Sequence, residues 1–168
     1  MSKKEISILC VLAALIIGTV IAAVCLRTGR EPERIVGEFV PPEFAQNAVD
    51  GTPDPGEVSA LKYGTLSLTP EIAVSMVSEF TVNENGEAEL WFAASDTNEC
   101  WVMLRLMDAK GNVLGETGLL KPGQYVRFLK LDNIPRKDGL ITARILTYEP
   151  DTYYSLGSAN ANVMLRVR

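Results

Sequence analysis

Few residues of this 168-residue chain have the chemistry of an acid–base or nucleophilic catalyst. Histidine is absent, which removes the side chain that most often acts as an acid or base near neutral pH. Of the three cysteines, Cys10 and Cys25 lie in a long apolar run, and Cys100 stands alone in the rest of the chain. A cysteine without a histidine partner is a poor nucleophile at neutral pH. The sequence therefore predicts no catalytic residue and a protein that is not an enzyme.

Metal and cofactor motifs are also missing from the sequence. There is no CxxC pair, and neither glycine-rich phosphate motif, GxxxxGK[ST] or GxGxxG, occurs. Oxygen ligands cluster in two predicted turns, where weak calcium binding is an alternative to ordinary solvation: Asp96, Asn98, Glu99, Asp108 and Asn112. Solvated turns are the simpler interpretation, so the sequence predicts no metal and no cofactor.

The charge balance argues against a nucleic-acid partner. The chain holds 16 lysines and arginines against 21 aspartates and glutamates, a net charge of −5. Neutralising phosphates requires clustered cationic side chains, so we expect no nucleic-acid binding.

The longest apolar run covers residues 6–26 (ISILCVLAALIIGTVIAAVCL) and contains no charged residue. As a helix with a rise of ~1.5 Å per residue it spans about 31 Å, close to the hydrocarbon thickness of a bilayer. We predict a transmembrane helix or signal-anchor that holds the chain in the lipid bilayer, after a cytoplasmic tail at residues 1–5. Cleavage after Ala23 and lipidation of Cys25 are alternatives, although Ile21 and Val24 fit those processing patterns poorly.

Positive residues flank this segment almost equally on both sides, so they do not decide its orientation. A long acidic region without a second hydrophobic span follows it, and a signal-anchor exports such a region readily. We therefore expect a single-pass cell-membrane protein with its C-terminal domain outside the cytoplasm. Ala14, Gly18 and Ala22 share one face of the helix. This spacing lets two helices approach closely and allows a homodimer, although small residues are also simply common in membrane helices.

Residues 27–70 contain six of the nine prolines and the turn-rich stretch DGTPDPGE at residues 50–57. Proline-rich chain is stiff, so these residues predict an extracytoplasmic stalk. The apolar residues Phe39, Val40 and Phe44 are unusual in a spacer. Either they dock on the folded domain as an extended strand, or they bind a partner.

From residue 71 to residue 168 apolar and polar residues alternate in short runs separated by turn signals such as NENG at residues 83–86. The pattern corresponds to about seven strands with turns every 8–12 residues. It predicts an all-β domain, an immunoglobulin- or fibronectin-like antiparallel sandwich. The Cys…Trp…Cys spacing of antibody domains is absent.

The segment Trp101–Tyr154, with the upstream anchor and the PPEF, NAV and GTP stretches of the stalk, resembles a group of small single-span proteins of Gram-positive bacteria. These proteins are uncharacterised and often occur near mobile elements. The resemblance covers most of the chain. It implies the anchored β-sandwich layout and a cell-envelope setting, and it implies no catalytic residues.

Aromatic residues are the candidates for recognition. Tyr148, Tyr153 and Tyr154 border the predicted loop before the last strand, where tyrosines give a large contact area at a low entropy cost. Trp91 and Trp101 fall on the outward faces of neighbouring runs, where an exposed patch would mark a binding surface. The alternative is that the stalk or a sheet edge covers these rings.

A single anchor, a stalk and a domain poor in reactive residues suit positioning better than catalysis. The leading expectation is a membrane-tethered extracytoplasmic module that binds a protein partner within a cell-envelope assembly. A glycan or cell-wall binding module is the alternative, since aromatic platforms also bind sugars. A hydrolytic enzyme ranks third because no residues are present to support it.

Overall fold

The computed structural model describes residues 39–167. They form ten strands and one short helix: β1 Val49–Asp50, α1 Pro55–Val58, β2 Tyr63–Thr69, β3 Ile72–Val77, β4 Glu79–Val82, β5 Glu87–Ala94, β6 Trp101–Met107, β7 Val113–Glu116, β8 Gln124–Lys130, β9 Gly139–Tyr148 and β10 Ser155–Val167. The predicted anchor at residues 6–26, with Ala14, Gly18 and Ala22, lies outside the described residues, as do residues 1–5 and 27–38. None of the helices within residues 39–167 has the length and apolar character needed to cross a membrane.

The strands form one curled, mixed sheet in the order β1-β8-β5-β4-β10-β9-β6-β7, with β2 joined through β3 to β5. The prediction of an all-β domain is confirmed. Two details differ from the prediction. The sheet has ten strands rather than about seven, and β4 and β10 run parallel instead of antiparallel. Alternation along a strand indicates which side chains share a face but not the direction of the neighbouring strand.

The sheet divides at Ser78, between β3 and β4. The backbone N–H of Ser78 donates to the carbonyl oxygen of Lys62, beside β2, over 2.9 Å. Its carbonyl oxygen accepts a 2.9 Å hydrogen bond from the N–H of Met164 in β10. Strands β2 and β10 therefore pair with successive parts of one bent strand, and β10 leaves that edge before Met164.

One hydrophobic core lies inside the curl. Its largest fully buried side chains come from β3, β5, β6, β9 and β10 and from the loop before β8. They are Trp91, Phe92, Leu90, Leu104, Leu106, Leu119, Leu120, Ile145, Leu165, Val74, Val77 and Val102. Burying an aliphatic or phenylalanine side chain fully contributes roughly 1.5–3 kcal/mol, so these residues are the main source of stability.

The compact unit begins at Pro41 rather than at residue 71, which corrects the predicted boundary between stalk and domain. Strand β1 pairs with β8, and β2 pairs with β3, so both belong to the sheet. Two of the prolines that suggested a linker, Pro55 and Pro70, lie at the start of a helix and in a turn of the domain. Pro55 begins α1, where a missing N–H costs nothing, and Pro70 lies in the turn between β2 and β3.

Candidate binding surface

The loop between β9 and β10 is tightly held by its own hydrogen bonds. The N–H of Glu149 donates to the Tyr154 carbonyl oxygen over 2.8 Å, and the N–H of Tyr153 donates to the Glu149 carbonyl oxygen over 3.0 Å. The Thr152 hydroxyl donates to the Glu149 carboxylate over 2.6 Å. Asp151 and Tyr153 have φ values of +67° and +59°, a left-handed conformation that costs free energy outside glycine. The loop therefore presents its side chains in one defined arrangement.

An aromatic cluster lies at the base of this loop. The ring of Trp101 contacts the ring of Tyr153 edge-on, with centroids 5.0 Å apart. The ring of Phe44 meets Trp101 in the same way at 4.8 Å, and the Lys121 ammonium lies 5.1 Å from the Phe44 centroid. Such edge-to-face pairs contribute about 0.5–1.5 kcal/mol beyond the area they bury. The cluster therefore fixes the position of the loop on β6.

Phe44 reaches the cluster because its backbone joins the edge of the sheet. Residue 44 forms a parallel bridge with Leu119, which is next to the residue that pairs with Val102 of β6. The docking alternative therefore holds for Phe44, which covers Trp101. Phe39 and Val40 remain 63% and 80% exposed.

The outer face of β6 and β9 continues the cluster as an apolar strip. Trp101 lies opposite Tyr148 in the ladder, and Met103 lies opposite Leu146 two residues further along. Residues directly opposite in an antiparallel ladder point to the same face. Trp101, Tyr148 and Leu146 are partly exposed there, while Met103 is buried beneath its neighbours.

Tyr154 and Leu156 project beyond this cluster and are 72% and 55% exposed. Tyr154 follows Tyr153 directly, and Leu156 lies next to Gly157, which has a φ of +136°. Leu156 was not predicted as a site residue. The sequence does show that Leu156 is a large apolar residue next to a glycine, directly after a loop with two tyrosines. Strand alternation alone does not indicate that such a residue is exposed.

Trp91 lies elsewhere and is buried, so it is not part of an exposed patch, and the alternative that other residues cover the ring holds. Its ring is 1% exposed and lies beneath the Arg127 guanidinium, whose central carbon is 4.4 Å from the ring centroid. Tyr125 stacks on it at 6.0 Å, and the indole N–H donates to the Glu89 carboxylate over 3.2 Å. Trp91 therefore shares the side of Glu89 and Arg127, and these two residues and Tyr125 cover its ring at a register irregularity where Trp91 has a φ of +50°.

The structure thus brings four of the five predicted aromatic residues to one end of the sheet and leaves Trp91 out. Trp101 and Tyr153 form the cluster with Phe44, Tyr148 lies opposite Trp101 in the ladder, and Tyr154 directly follows Tyr153. Two further contributors are Lys121, from the segment before β8, and Leu156, at the start of β10.

Cys100, the free cysteine of the described residues, lies near this surface. Cys100 is 2% exposed and lies at a cleft of about 500 Å³ that Glu71, Glu99 and Glu149 also line. Burial raises the pKa of the Cys100 thiol, so its nucleophilic thiolate is scarcer than that of an ordinary cysteine. Within residues 39–167 no three histidine, cysteine, aspartate or glutamate side chains converge as metal ligands do.

In the two candidate calcium turns, the side chains of Asn98 and Asp108 hold backbone groups. The Asn98 amide accepts from the Ala73 N–H over 2.8 Å and donates to the Ala73 carbonyl oxygen over 2.9 Å. One Asp108 carboxylate oxygen accepts the backbone N–H groups of Lys110 and Asn112. These contacts account for Asn98 and Asp108 as groups that shape the backbone.

A scan against protein-family models matches no family, and a search of the curated proteins finds no match.

Proposed function

We propose that this protein is a membrane-tethered extracytoplasmic module that binds a protein partner through the tip of the β9–β10 hairpin. The observation that carries the proposal is the exposure of Tyr154 and Leu156, 72% and 55%, on a loop that is held by its own hydrogen bonds. Ordering side chains on association costs roughly 0.5–1.5 kcal/mol for each one immobilised. A loop that is already ordered avoids part of this cost.

The composition of the tip suits a protein surface. Aromatic residues are enriched where partners bury their central contacts, because they offer large area with few rotatable bonds. Tyr154 and Leu156 supply this area, and the Trp101 cluster beneath them supplies a firm base. We propose the tip as the central contact and the apolar strip of Tyr148 and Leu146 as its surroundings.

The membrane setting is part of the proposal. The uncharged run at residues 6–26 supports a single-pass anchor, and the acidic region after it supports an extracytoplasmic position. The resemblance of Trp101–Tyr154 and the upstream segments to anchored proteins of Gram-positive bacteria agrees with an envelope assembly.

We also propose that the curled sheet is a variant of the immunoglobulin- or fibronectin-like sandwich. In support, buried residues of β3 and β5 share one core with those of β6 and β9, as the inner faces of two stacked sheets do.

Site-specific photo-cross-linking tests the binding tip. A benzophenone amino acid replaces Tyr154 in the full chain in native membranes, and the same amino acid at Asn85, on the exposed β4–β5 turn, is the matched control. We expect a discrete protein adduct from position 154 only. With the adduct identified and purified, Tyr154→Ala is expected to weaken its binding about 30-fold, since loss of a central aromatic contact costs about 2 kcal/mol.

Two results would contradict this proposal. The first is an identical adduct pattern from positions 154 and 85. The second is tight binding to isolated cell-wall glycan that Tyr154→Ala abolishes, which would establish the glycan-binding alternative instead.

A further inference from the structure

Strand β10 has an edge that is largely unpaired. One side of β10 pairs with β9 from Ser155 to Leu165, and the other side pairs with β4 only from Met164 onward. Within residues 39–167, no strand pairs with that second side along residues 155–163. An open edge presents backbone donors and acceptors to any strand that approaches it.

The direction of these backbone groups follows from Met164. Its N–H donates to the Ser78 carbonyl oxygen, so it points away from β9 and toward the side where β4 lies. Backbone groups of alternate residues in a strand point to the same side. Ser158, Asn160 and Asn162 therefore direct their N–H and C=O groups at the open edge.

Beyond the register irregularity between Ser155 and Gly157, the open edge lacks the usual features that prevent pairing. Natural edge strands carry charged residues or proline, or they are short. Residues 155–163 read SLGSANANV, which contains neither a charged residue nor a proline. This stretch is nine residues long, and most of its side chains are exposed. The edge is therefore open to an added strand.

An apolar groove borders the same edge. It has a volume of about 470 Å³ and lies between the beginning of β2 and the middle of β10. Tyr63, Leu66, Met76 and Val163 contribute its apolar lining. Side chains from an added strand have room there, on the side that leads to the core.

We infer that this edge pairs with the same edge of a second copy of the chain, in antiparallel register about a two-fold axis at Asn160. In this register Asn160 lies opposite itself, Ser158 lies opposite Asn162, and Ala159 lies opposite Ala161. No two charged residues meet along residues 155–165, and each Ser158 hydroxyl faces an amide group, a favourable cross-strand pair. The backbone N–H and C=O groups of Ser158, Asn160 and Asn162 all face the partner strand. The register therefore forms hydrogen bonds at all three positions. A single patch that complements itself is what a two-fold dimer requires.

This dimer is separate from the proposed binding function, because it uses the edge of β10 and not the tip at Tyr154. An experiment that contradicts the dimer leaves partner binding at the tip untouched, and the reverse also holds.

Symmetric disulfide cross-linking tests the register in the full chain. Cys10 and Cys25 are replaced by alanine, and the buried Cys100 is kept. Asn160→Cys in this background places two thiols on residues whose Cα atoms lie about 5.5 Å apart in a hydrogen-bonded pair, within disulfide reach. We expect a cross-linked dimer under mild oxidation, and none from the parent that retains Asn160.

Asn162→Cys is the matched control, because it carries the same change two residues along the same strand. In the proposed register its two copies lie about 14 Å apart, too far for a disulfide. Cross-linking at position 160 and not at position 162 supports the dimer. Equal cross-linking at both positions, or none at position 160, overturns it.

A charge variant gives a second readout without oxidation. Asn160→Lys places two ammonium groups at the axis, and we expect the dimer dissociation constant in detergent, measured by sedimentation, to rise at least tenfold. Asn85→Lys, on the β4–β5 turn, is expected to leave it unchanged. A wild-type chain that sediments as a monomer at all concentrations overturns the inference, whichever partner binds the tip. Conversely, Tyr154→Ala should leave the dimer intact even where it abolishes partner binding.

Discussion

Gly118 and Ala45 approach each other so closely that a side chain at Gly118 has no room. A Cβ atom at Gly118 would lie 2.9 Å from the backbone nitrogen of Ala45 and 3.0 Å from the Glu43 carbonyl oxygen. The same stretch of chain exchanges two hydrogen bonds with Leu119, whose N–H donates to Glu43 and whose carbonyl oxygen accepts from Ala45. Gly118 also has a φ of +77°. Glycine at this position is therefore what lets residues 43–45 join the sheet edge and bring Phe44 to Trp101.

Gly118→Ala is expected to destabilise the fold and to loosen residues 43–45. The substitution combines a left-handed backbone with a backbone clash, and such strain costs about 1–3 kcal/mol. Urea unfolding followed by tryptophan fluorescence measures the loss. Gly139→Ala is the matched control, since nothing lies within 4 Å of a Cβ there and its φ is not positive. Equal stability of the two variants would contradict this account of Gly118.

Phe44→Ala is expected to expose Trp101 and to lower the free energy of unfolding by about 1–2 kcal/mol, because it removes a half-buried ring and its edge-to-face contact. Tryptophan emission should shift to longer wavelength. Phe39→Ala serves as the control, because that ring is mostly exposed. An unchanged emission maximum in Phe44→Ala would mean that Phe44 does not cover Trp101 in solution.

Arg127→Ala is expected to uncover Trp91 and to cost about 1 kcal/mol. The guanidinium lies over the Trp91 ring and also pairs with Glu89 and Glu57. Cation–π contacts contribute about 0.5–1 kcal/mol at exposed sites and more when water is excluded. Chemical denaturation and iodide quenching of tryptophan emission check both effects. Arg136→Ala, on the exposed β8–β9 loop, should change neither quantity, and equal quenching in the two variants would refute the covering role of Arg127.

Acid is expected to weaken the junction of β4 and β10. Hydrogen bonds from Lys62 and then Arg166 lower the pKa of the Glu79 carboxyl below its usual 4.5. The Val167 N–H and then Arg166 lower the pKa of Asp138 below 3.8. Carboxyl groups with a lowered folded-state pKa stabilise the fold above the unfolded-state pKa, and this contribution is lost as pH falls through the folded-state value. Stability should therefore begin to fall below about pH 4.5.

Thermal unfolding of Glu79→Gln from pH 7 to pH 2.5 checks this expectation. The variant should melt below the parent at pH 7, and the difference should disappear at the acid end, where the parent carboxyl is protonated. Glu84→Gln, on the exposed β4–β5 turn, provides the comparison. A constant difference between Glu79→Gln and the parent at every pH would show that the effect is not ionic.

The sequence predicts the β6, β9 and β10 runs well, because alternation of apolar and polar residues is a local property of a strand with one buried face. It does not reveal that Trp91 is buried, because the Arg127 and Tyr125 side chains that cover the ring come from β8. Cover by a partner strand depends on long-range pairing, and the local pattern does not record it. The anchor at residues 6–26, the stalk segment before residue 39 and the small-residue face of Ala14, Gly18 and Ala22 stay predictions.

The boundary at residue 71 was wrong for a related reason. Proline and turn residues indicate where the chain changes direction, and they do so equally in a linker and between short strands. Only pairing with distant segments separates the two cases. Here β1 pairs with β8 and β2 pairs with β3, which places residues 49–69 within the sheet.

By itself, then, the sequence determined the all-β class, most strand faces and the tyrosines that end up at the tip of the last hairpin, because all of these depend on neighbours a few residues apart. Only the tertiary structure decided that Phe44 meets Trp101, that Arg127 covers Trp91 and that the edge of β10 stays open before Met164. Each of these depends on segments tens of residues apart. Their meeting is set by how the whole sheet curls around its core, and no local pattern of residue types carries that information.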